Sequence, residues 1–189
     1  MTNFAFPFPG RELADAELSY DLCYHRIPVD DRSKIVEMAW QKGILAAEET
    51  FAECGGEQDF FKIAEQSQLK CNRIDRDYVT GGQRYFSDYI SGQGIINLYT
   101  KSIAIWAEQN ELSQQTAENL ILSHEFFHFL EWTKLGLTSR QYQVPMLQLA
   151  GLKIGRTGIR ALSEIGAHAF ARTYYDLGKE LSNEQVLSL

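Results

Sequence analysis

Hydrophobic positions recur at helical spacing over several stretches of this chain and form short β-branched or aromatic runs elsewhere. The helical spacing predicts helices over Arg11–Tyr24, Ile35–Cys54, Asp59–Ser67, Ser102–Ala107, Gln114–Lys134 and Arg160–Leu177. The short runs, bounded by glycine, predict strands over Leu69–Ile74, Arg84–Ile90 and Gly94–Leu98. This mixture predicts one α+β domain with a small mixed sheet, in which residues 1–62 form an N-terminal arm and helices and residues 63–189 form the core.

Polar residues and glycines predict where several of these helices begin and end. The expected N-terminal caps are Asp30, Asp31 or Ser33 for the second helix and Ser113 for the fifth. The expected stops, where left-handed backbone costs little, are Gly55–Gly56, Gly136 and Gly178. Beyond the last stop, Ser182–Gln185 is expected to cap a short C-terminal turn.

Two stretches have no clear periodicity. Residues 1–10, in which Phe4, Phe6 and Phe8 alternate near two prolines, are expected to form an irregular arm that packs on the body of the protein. Residues 136–158 are Gly-rich, contain Pro145 and carry few charges, which predicts a loop beside the functional site with a helical turn at Met146–Ala150.

Composition and charge narrow the class of protein. Of the 189 residues, 44% are hydrophobic and 23% charged, which is typical of a globular protein, and no run is long and apolar enough to span a membrane. The net charge of −7 argues against a general nucleic-acid-binding surface. The first ten residues lack the pattern of a secretory signal, and three scattered cysteines fit a reducing compartment. We therefore expect a cytoplasmic protein with no membrane or direct nucleic-acid partner, in an oligomeric state that sequence leaves open.

The strongest chemical signal is His124-Glu125-Phe126-Phe127-His128, which uses two of the four histidines. Residues four apart share one face of a helix, so both imidazoles can reach one metal ion. A glutamate directly after the first histidine is typical of a zinc hydrolase helix, where it acts as general base. The sequence therefore predicts that His124 and His128 bind Zn²⁺ and that Glu125 is catalytic. The alternative is a pair of histidines at the edge of an amphipathic core helix.

A catalytic zinc needs a third protein ligand. The metzincin extension requires Gly at position 131 and His at position 134, but Glu131 and Lys134 stand there, which excludes that class. Glu164 is the best candidate, because it lies in an apolar helix rich in Ala and Gly that can approach the histidine helix closely. Glu131 is a rival; since three ligands from one straight helix converge poorly, we assign it a supporting or solvated role.

Other side chains near these positions are harder to rank. His168 follows Glu164 by four residues and shares its helix face. It could orient the metal ligands, stabilise the oxyanion of a tetrahedral intermediate, or simply pack in the core. Tyr142, Tyr174 and Tyr175 are further phenol donors that the sequence does not order.

From about Ile63 to Tyr174 the chain resembles the ImmA/IrrE-type metallopeptidases, bacterial zinc proteins of the gluzincin kind. The resemblance is carried by the histidine motif and by the segment Glu164–Ala171, which is similar to the E-x-x-A-N-x-F-A pattern of that family, with His168 in place of the usual Asn. It implies a zincin-like fold in which His124, His128 and Glu164 bind zinc and Glu125 is the base. It also implies a regulatory protein substrate, such as a repressor.

The leading hypothesis is therefore a zinc-dependent endopeptidase that acts on a protein or peptide. The second is a sensor or interaction protein that binds zinc without cleaving anything; a water in the fourth coordination position indicates catalysis, whereas a fourth side chain indicates a structural site. The third is another zinc hydrolase such as an aminopeptidase, which needs an acidic or amine-binding group at the end of its cleft.

Overall fold

The structure, a computed structural model, describes residues 7–149 and 152–187, and within them it is α+β, as predicted. The helices are α1 (Ala14–Ser19), α2 (Val29–Glu53), α3 (Phe60–Gln66), α4 (Thr100–Gln109), α5 (Gln114–Leu130) and α6 (Ala161–Leu187). The strands are β1 (Lys70–Ile74), β2 (Tyr78–Thr80), β3 (Gln83–Tyr85), β4 (Ser87–Ile90), β5 (Ile95–Tyr99), β6 (Gln143–Leu149) and β7 (Leu152–Gly158). Across these residues, no helix combines the length and apolar character needed to cross a membrane. Phe4, Phe6 and Ala150, which figured in the sequence predictions, lie outside the described residues.

The main sheet is small and mixed, with strand order β1-β5-β4. β5 pairs in parallel with β1 and antiparallel with β4, so β4 is an edge strand, and it lies against α5. Ile96 and Leu98 of β5 are fully buried on one face, whereas Asn97 between them bonds Asn72 and Asp88 on neighbouring strands. The alternation of apolar and polar residues therefore fixes which face of the sheet meets the helices.

α2 and α6 form the most extensive helix pair of the described residues. They can meet closely because a Cβ added at Gly43 of α2 would lie 2.1 Å from the backbone oxygen of Gly166 on α6. A Cβ at Gly166 would in turn lie 2.7 Å from the ring of Phe127 on α5. The small residues of α6 thus allow it to pack tightly between α2 and the histidine helix.

Three of the predicted helix ends are confirmed, at Ser113, Gly55–Gly56 and Gly136. The Ser113 side chain accepts a hydrogen bond from the Thr116 amide, and Asp59 caps α3 in the same way. Gly55, Gly56 and Gly136 all have positive φ at the expected stops. The predicted cap of α2 is wrong: its N-terminal cap is Pro28 with no side-chain bond, and Asp30 and Asp31 lie inside the first turn. A proline here sets the chain direction into the helix without a capping side chain.

The predicted loop at residues 136–158 is wrong. After a 3₁₀ turn at Thr138–Arg140, β6 and β7 form an antiparallel hairpin in which Pro145 is paired in register with Arg156. The helical turn expected from Met146 is also wrong, because residues 146–149 belong to β6. A two-stranded hairpin has only edge strands, where proline is tolerated, and Gly155 with φ of 64° adapts the facing strand.

Other departures concern helix ends. α6 continues through Gly178 to Leu187, so the predicted stop at Gly178 and the separate turn at Ser182–Gln185 are wrong. A Cβ at Gly178 would lie 2.8 Å from Gln58, so the glycine serves close packing rather than termination. Residues 11–24 form a 3₁₀ turn followed by α1, which ends at Ser19, instead of one helix to Tyr24. The predicted strand over Arg84–Ile90 divides into β3 and β4, and β2 was not predicted.

Candidate metal centre

α5 carries both histidines of the motif on one face, as the spacing predicts. The ring centroids of His124 and His128 lie 5.1 Å apart. Between them on the helix, Phe126 and Phe127 are buried in the main hydrophobic cluster, which fixes the rotation of α5 and turns the imidazoles towards α6. The apolar half of the helix therefore positions the polar half.

Glu164, in the first turn of α6, completes the cluster. Its Oε2 lies 3.2 Å from His124 Nε2, and its Oε1 lies 3.6 Å from His128 Nε2. One ligand atom from each of the three residues can be chosen so that all lie within 4.8 Å of one another. The Glu164 side chain is 46% exposed, so it faces the opening of the site rather than the closed interior that its apolar neighbours suggested.

Glu131 lies behind His128 and does not join the three-residue cluster. Its Oε2 is 3.0 Å from His128 Nδ1, and its Oε1 accepts hydrogen bonds from the Thr138 amide at 2.7 Å and the Ser163 hydroxyl at 2.9 Å. The π-helical turn Glu131–Leu135 and Gly136 bring the chain back so that Thr138 reaches this carboxylate. Oε2 thus contacts His128 while Oε1 is fixed by Thr138 and Ser163. Of the supporting and solvated roles expected from the sequence, this buried arrangement suits the first.

Mutual contacts shift the proton affinities of these groups. Burial lowers the pKa of His128, but the Glu131 hydrogen bond and the nearby Glu164 and Glu125 carboxylates outweigh it and raise that pKa to about 9. Burial raises the pKa of Glu164, but its bond to His124 and the nearby imidazoles outweigh this effect and lower that pKa to about 2. Burial also raises the pKa of Glu131, but its hydrogen bond to His128 outweighs burial and leaves that pKa below its ordinary value. The site therefore favours ionised carboxylates beside imidazole.

Glu125 lies on the side of α5 that faces the sheet edge. The side chain is buried, with 8% of the residue exposed, and its Oε1 accepts a 2.6 Å hydrogen bond from the hydroxyl of Ser87. Ser87 is the first residue of the edge strand β4. Glu125 and Ser87 border two cavities, of about 350 and 730 Å³, that both reach His124 and Glu164. The carboxylate predicted as base is therefore oriented and adjacent to the cluster, and Ser87 gave no signal in the sequence.

His168 lies beside His124 but outside the three-residue cluster of the described residues. The two ring centroids are 5.1 Å apart at an interplanar angle of 49°. Burial and the neighbouring imidazole of His124 lower the pKa of His168 to about 3, so its ring is neutral at physiological pH. His124 Nδ1 is buried with no hydrogen-bond partner. Of the roles that the sequence left open for His168, this geometry is compatible with donating a hydrogen bond as a neutral ring or with packing in the core.

Further residues at the site were not predicted. Phe8 stacks on His124, and its ring centroid also lies 5.7 Å from that of Trp106 of α4. Glu17 of α1 borders a cavity together with Glu164.

Of the three tyrosines named as phenol donors, two make hydrogen bonds away from the cluster. Tyr142 donates to Asp31 and Tyr174 donates to the Glu57 carbonyl. The Tyr175 ring lies 4.5 Å from Lys179 Nζ.

The donor set suits a zinc ion. Two imidazole nitrogens and one carboxylate are the ligands of many catalytic zinc sites, which leave a fourth position for water. The Glu131–His128 bond is the kind of support that metal-binding histidines usually have, because it fixes which ring nitrogen is free to bind. The cavities beside the cluster leave room for a water or another small ligand next to it.

Comparison with known proteins adds no family assignment. No protein-family model, curated protein or solved structure matches this chain. The zincin-like fold and the metallopeptidase resemblance therefore stay predictions.

Proposed function

We propose that this protein is a zinc-dependent endopeptidase that hydrolyses a protein or peptide. The observation that carries the proposal is the convergence of His124, His128 and Glu164, with ligand atoms within 4.8 Å of one another, beside the buried carboxylate of Glu125. A structural zinc has no need of an oriented carboxylate that is not a ligand. In this respect the arrangement favours catalysis over the alternative of a zinc-binding sensor.

In the proposed mechanism, His124 Nε2, His128 Nε2 and a Glu164 oxygen hold the zinc. When bound, zinc acts as a Lewis acid towards a carbonyl and makes water more acidic. Glu125, held through Oε1 by Ser87, takes a proton from the attacking water on Oε2. The water oxygen adds to the scissile carbonyl carbon, the C–N bond breaks, and Glu125 returns the proton to the leaving nitrogen. In this mechanism His168, as a neutral imidazole, would donate a hydrogen bond to the developing oxyanion.

The shape of the cleft supports cleavage inside a chain rather than at its end. The two cavities that reach Glu125 extend in different directions, one towards Trp106 and the other towards Trp132. A cleft that continues past the site on both sides accommodates residues before and after the scissile bond. The resemblance to regulatory metallopeptidases adds a repressor-like protein as a proposed substrate, and the free Cys23, Cys54 and Cys71 fit a cytoplasmic location.

The test is Glu125→Gln in the zinc-loaded protein. We expect the variant to keep its zinc and lose about 10²- to 10⁴-fold in the rate of hydrolysis, the usual contribution of a general base. Zinc content would be measured by elemental analysis, and hydrolysis by mass spectrometry of an N-acetylated peptide library, which an aminopeptidase cannot cleave.

Glu108→Gln, an exposed glutamate on α4, is the matched control and should behave as the wild type. Unchanged hydrolysis by Glu125→Gln would contradict the mechanism. A wild-type protein that binds zinc but cleaves no member of the library, acetylated or free, would favour the sensor.

A further inference from the structure

Residues Pro7–Pro9 lie across one branch of the candidate cleft. The Phe8 ring centroid is 5.5 Å from that of His124, 5.7 Å from that of His168 and 5.7 Å from that of Trp106. These distances lie in the range of about 4.5–7 Å over which aromatic rings attract one another. Phe86, whose ring centroid is 5.7 Å from that of Trp106, lines the same cavity. We call the four residues Trp106, His124, His168 and Phe86 the aromatic pocket.

The aromatic pocket is part of the open cleft rather than of the closed core. Phe8, Trp106 and His168 are each only partly buried, and the cavity they border has a volume of about 350 Å³. That volume is at the lower end for small-ligand pockets, which span about 300–1,000 Å³, and it suits one or two residues of a peptide. Two of the ring partners of Phe8 are polar imidazoles, His124 of the metal cluster and His168 beside it, which a protein does not need to cover in order to fold.

The segment that carries Phe8 lies outside the regular secondary structure of the domain. Pro7–Pro9 belong to no helix or strand, and the Phe8 carbonyl accepts a 3.3 Å hydrogen bond from Arg172, one turn beyond His168 on α6. Pro7 and Pro9 have no backbone N–H, so the segment cannot donate at alternate positions to the edge strand β4 as an extended peptide does. The segment therefore occupies the pocket with the Phe8 side chain and is anchored by the Phe8 carbonyl. Because it cannot pair with β4 as an extended peptide does, it is poorly suited to cleavage.

We propose that the aromatic pocket is the binding subsite for an aromatic side chain of the substrate, and that Phe8 occupies it until a substrate displaces it. This inference rests on the proposed peptidase function and adds to it a substrate class, peptides with Phe, Tyr or Trp beside the scissile bond. It also makes the N-terminal segment an internal competitor, which lowers the apparent affinity for substrate by the fraction of molecules in which the pocket is free.

The experiment measures binding separately from cleavage. The probes are the capped tripeptides acetyl-Ala-Phe-Ala-amide and acetyl-Ala-Ala-Ala-amide, titrated into full-length protein carrying Glu125→Gln so that neither is consumed, with zinc and with chelator. Binding is followed through the indole N–H NMR signals, because Trp106 lines the aromatic pocket, whereas Trp40 belongs to the second hydrophobic cluster and Trp132 lines the other branch of the cleft.

Adding Phe8→Ala should shift the Trp106 signal and not those of Trp40 and Trp132. It should also tighten binding of the phenylalanine probe about 10-fold while leaving the alanine probe weak. Arg172→Gln, which keeps Phe8 but removes the hydrogen bond to its carbonyl, should act in the same direction with a smaller gain. Phe61→Ala is the matched control. Phe61, on α3, is also a partly buried phenylalanine, but its ring packs under the guanidinium of Arg73.

Equal affinities with and without Phe8, or equal affinities for the two probes, would overturn the inference. If the phenylalanine probe binds more tightly to the Phe8→Ala variant but the protein with Glu125 intact cleaves no peptide, the aromatic pocket stands and the peptidase proposal fails. If the protein cleaves peptides without preference for aromatic residues, the peptidase proposal stands and the inference fails.

Discussion

His124 and His128 lie one turn apart on the same helix, yet the protein holds them in different ways. His128 is held by hydrogen bonds: its Nδ1 contacts Glu131, which is fixed in turn by the Thr138 amide and the Ser163 hydroxyl. His124 contacts Glu164 through Nε2, but its Nδ1 is buried without a partner, and its ring is held by stacking on Phe8 and by contact with His168. At Nδ1, one histidine is therefore fixed by directional bonds and the other by packing.

The difference indicates where the site can change. A histidine with a fully bonded partner has one favoured orientation, and moving it breaks several hydrogen bonds at once. A stacked ring can exchange one aromatic neighbour for another at little cost, although its unpaired nitrogen carries a penalty of about 1–3 kcal/mol. We therefore expect the Glu131 side to determine metal binding and the Phe8 side to adapt to whatever occupies the cleft.

The largest effect should come from Glu164→Ala, which removes the proposed zinc ligand that contacts both histidines. If a zinc binding free energy of about 12 kcal/mol is shared by three ligands, losing one costs about 4 kcal/mol, or about 1,000-fold in affinity. Glu131→Gln, which loses only support for His128, should cost about 10- to 100-fold. Competition titration with a chromogenic chelator measures both. A larger loss from Glu131→Gln would mean that Glu131 is the third ligand and does not merely support His128.

A smaller effect, on stability, should come from Gly43→Ala. The new Cβ would lie 2.1 Å from the Gly166 oxygen, so α2 and α6 must separate, and Glu164 on α6 would shift relative to His124. We expect a loss of about 3 kcal/mol in the free energy of unfolding, typical of overpacking against backbone. Leu45→Ala, at an exposed position of the same helix, should change it by less than about 0.5 kcal/mol. Urea unfolding with chelator present measures the two, and equal values would show that the crossing can relax.

The parts of the site that sequence predicted are those fixed by local geometry. The shared face of His124 and His128 follows from helical periodicity, and Glu125 was predicted as base from its place in the motif. Glu164 was found because a glutamate among alanines and glycines suits a closely packed helix. Ser87 and Phe8 could not be found this way, because their places depend on how a distant edge strand and an N-terminal segment fold over α5.

The errors have a common physical origin in glycine and proline. Pro145 and Gly155 disguised the β6–β7 hairpin, since both residues are rare in central strands but acceptable in a hairpin with two free edges. Gly178 was predicted to stop α6, whereas the helix continues through it and the glycine leaves room for the Gln58 side chain, which would lie 2.8 Å from an added Cβ. In each case the tertiary neighbour, which the sequence does not reveal, decided between two roles open to the same residue.

The smallest effect should be a pH dependence of the metal-free protein that belongs to the His128 side. The pKa of His128 is raised to about 9 from about 6.5, so between these values the folded protein binds more protons than the unfolded chain. The resulting stabilisation is complete below pH 6.5 and is lost as pH rises through 9. We expect the metal-free protein to lose about 2.5 kcal/mol over this interval from His128, measured by urea unfolding with chelator at several pH values.

Glu131→Gln separates this contribution from other titrating groups, because it removes the hydrogen bond that raises the pKa of His128 and leaves His124 unaltered. The stability difference between wild type and variant should therefore be largest near pH 6.5 and shrink towards pH 9. Zinc should remove the dependence in the wild type, since a metal-bound imidazole nitrogen carries no proton. Parallel curves for wild type and variant would show that Glu131 does not control His128, and the hydrogen-bonded side would then be no more rigidly held than the stacked one.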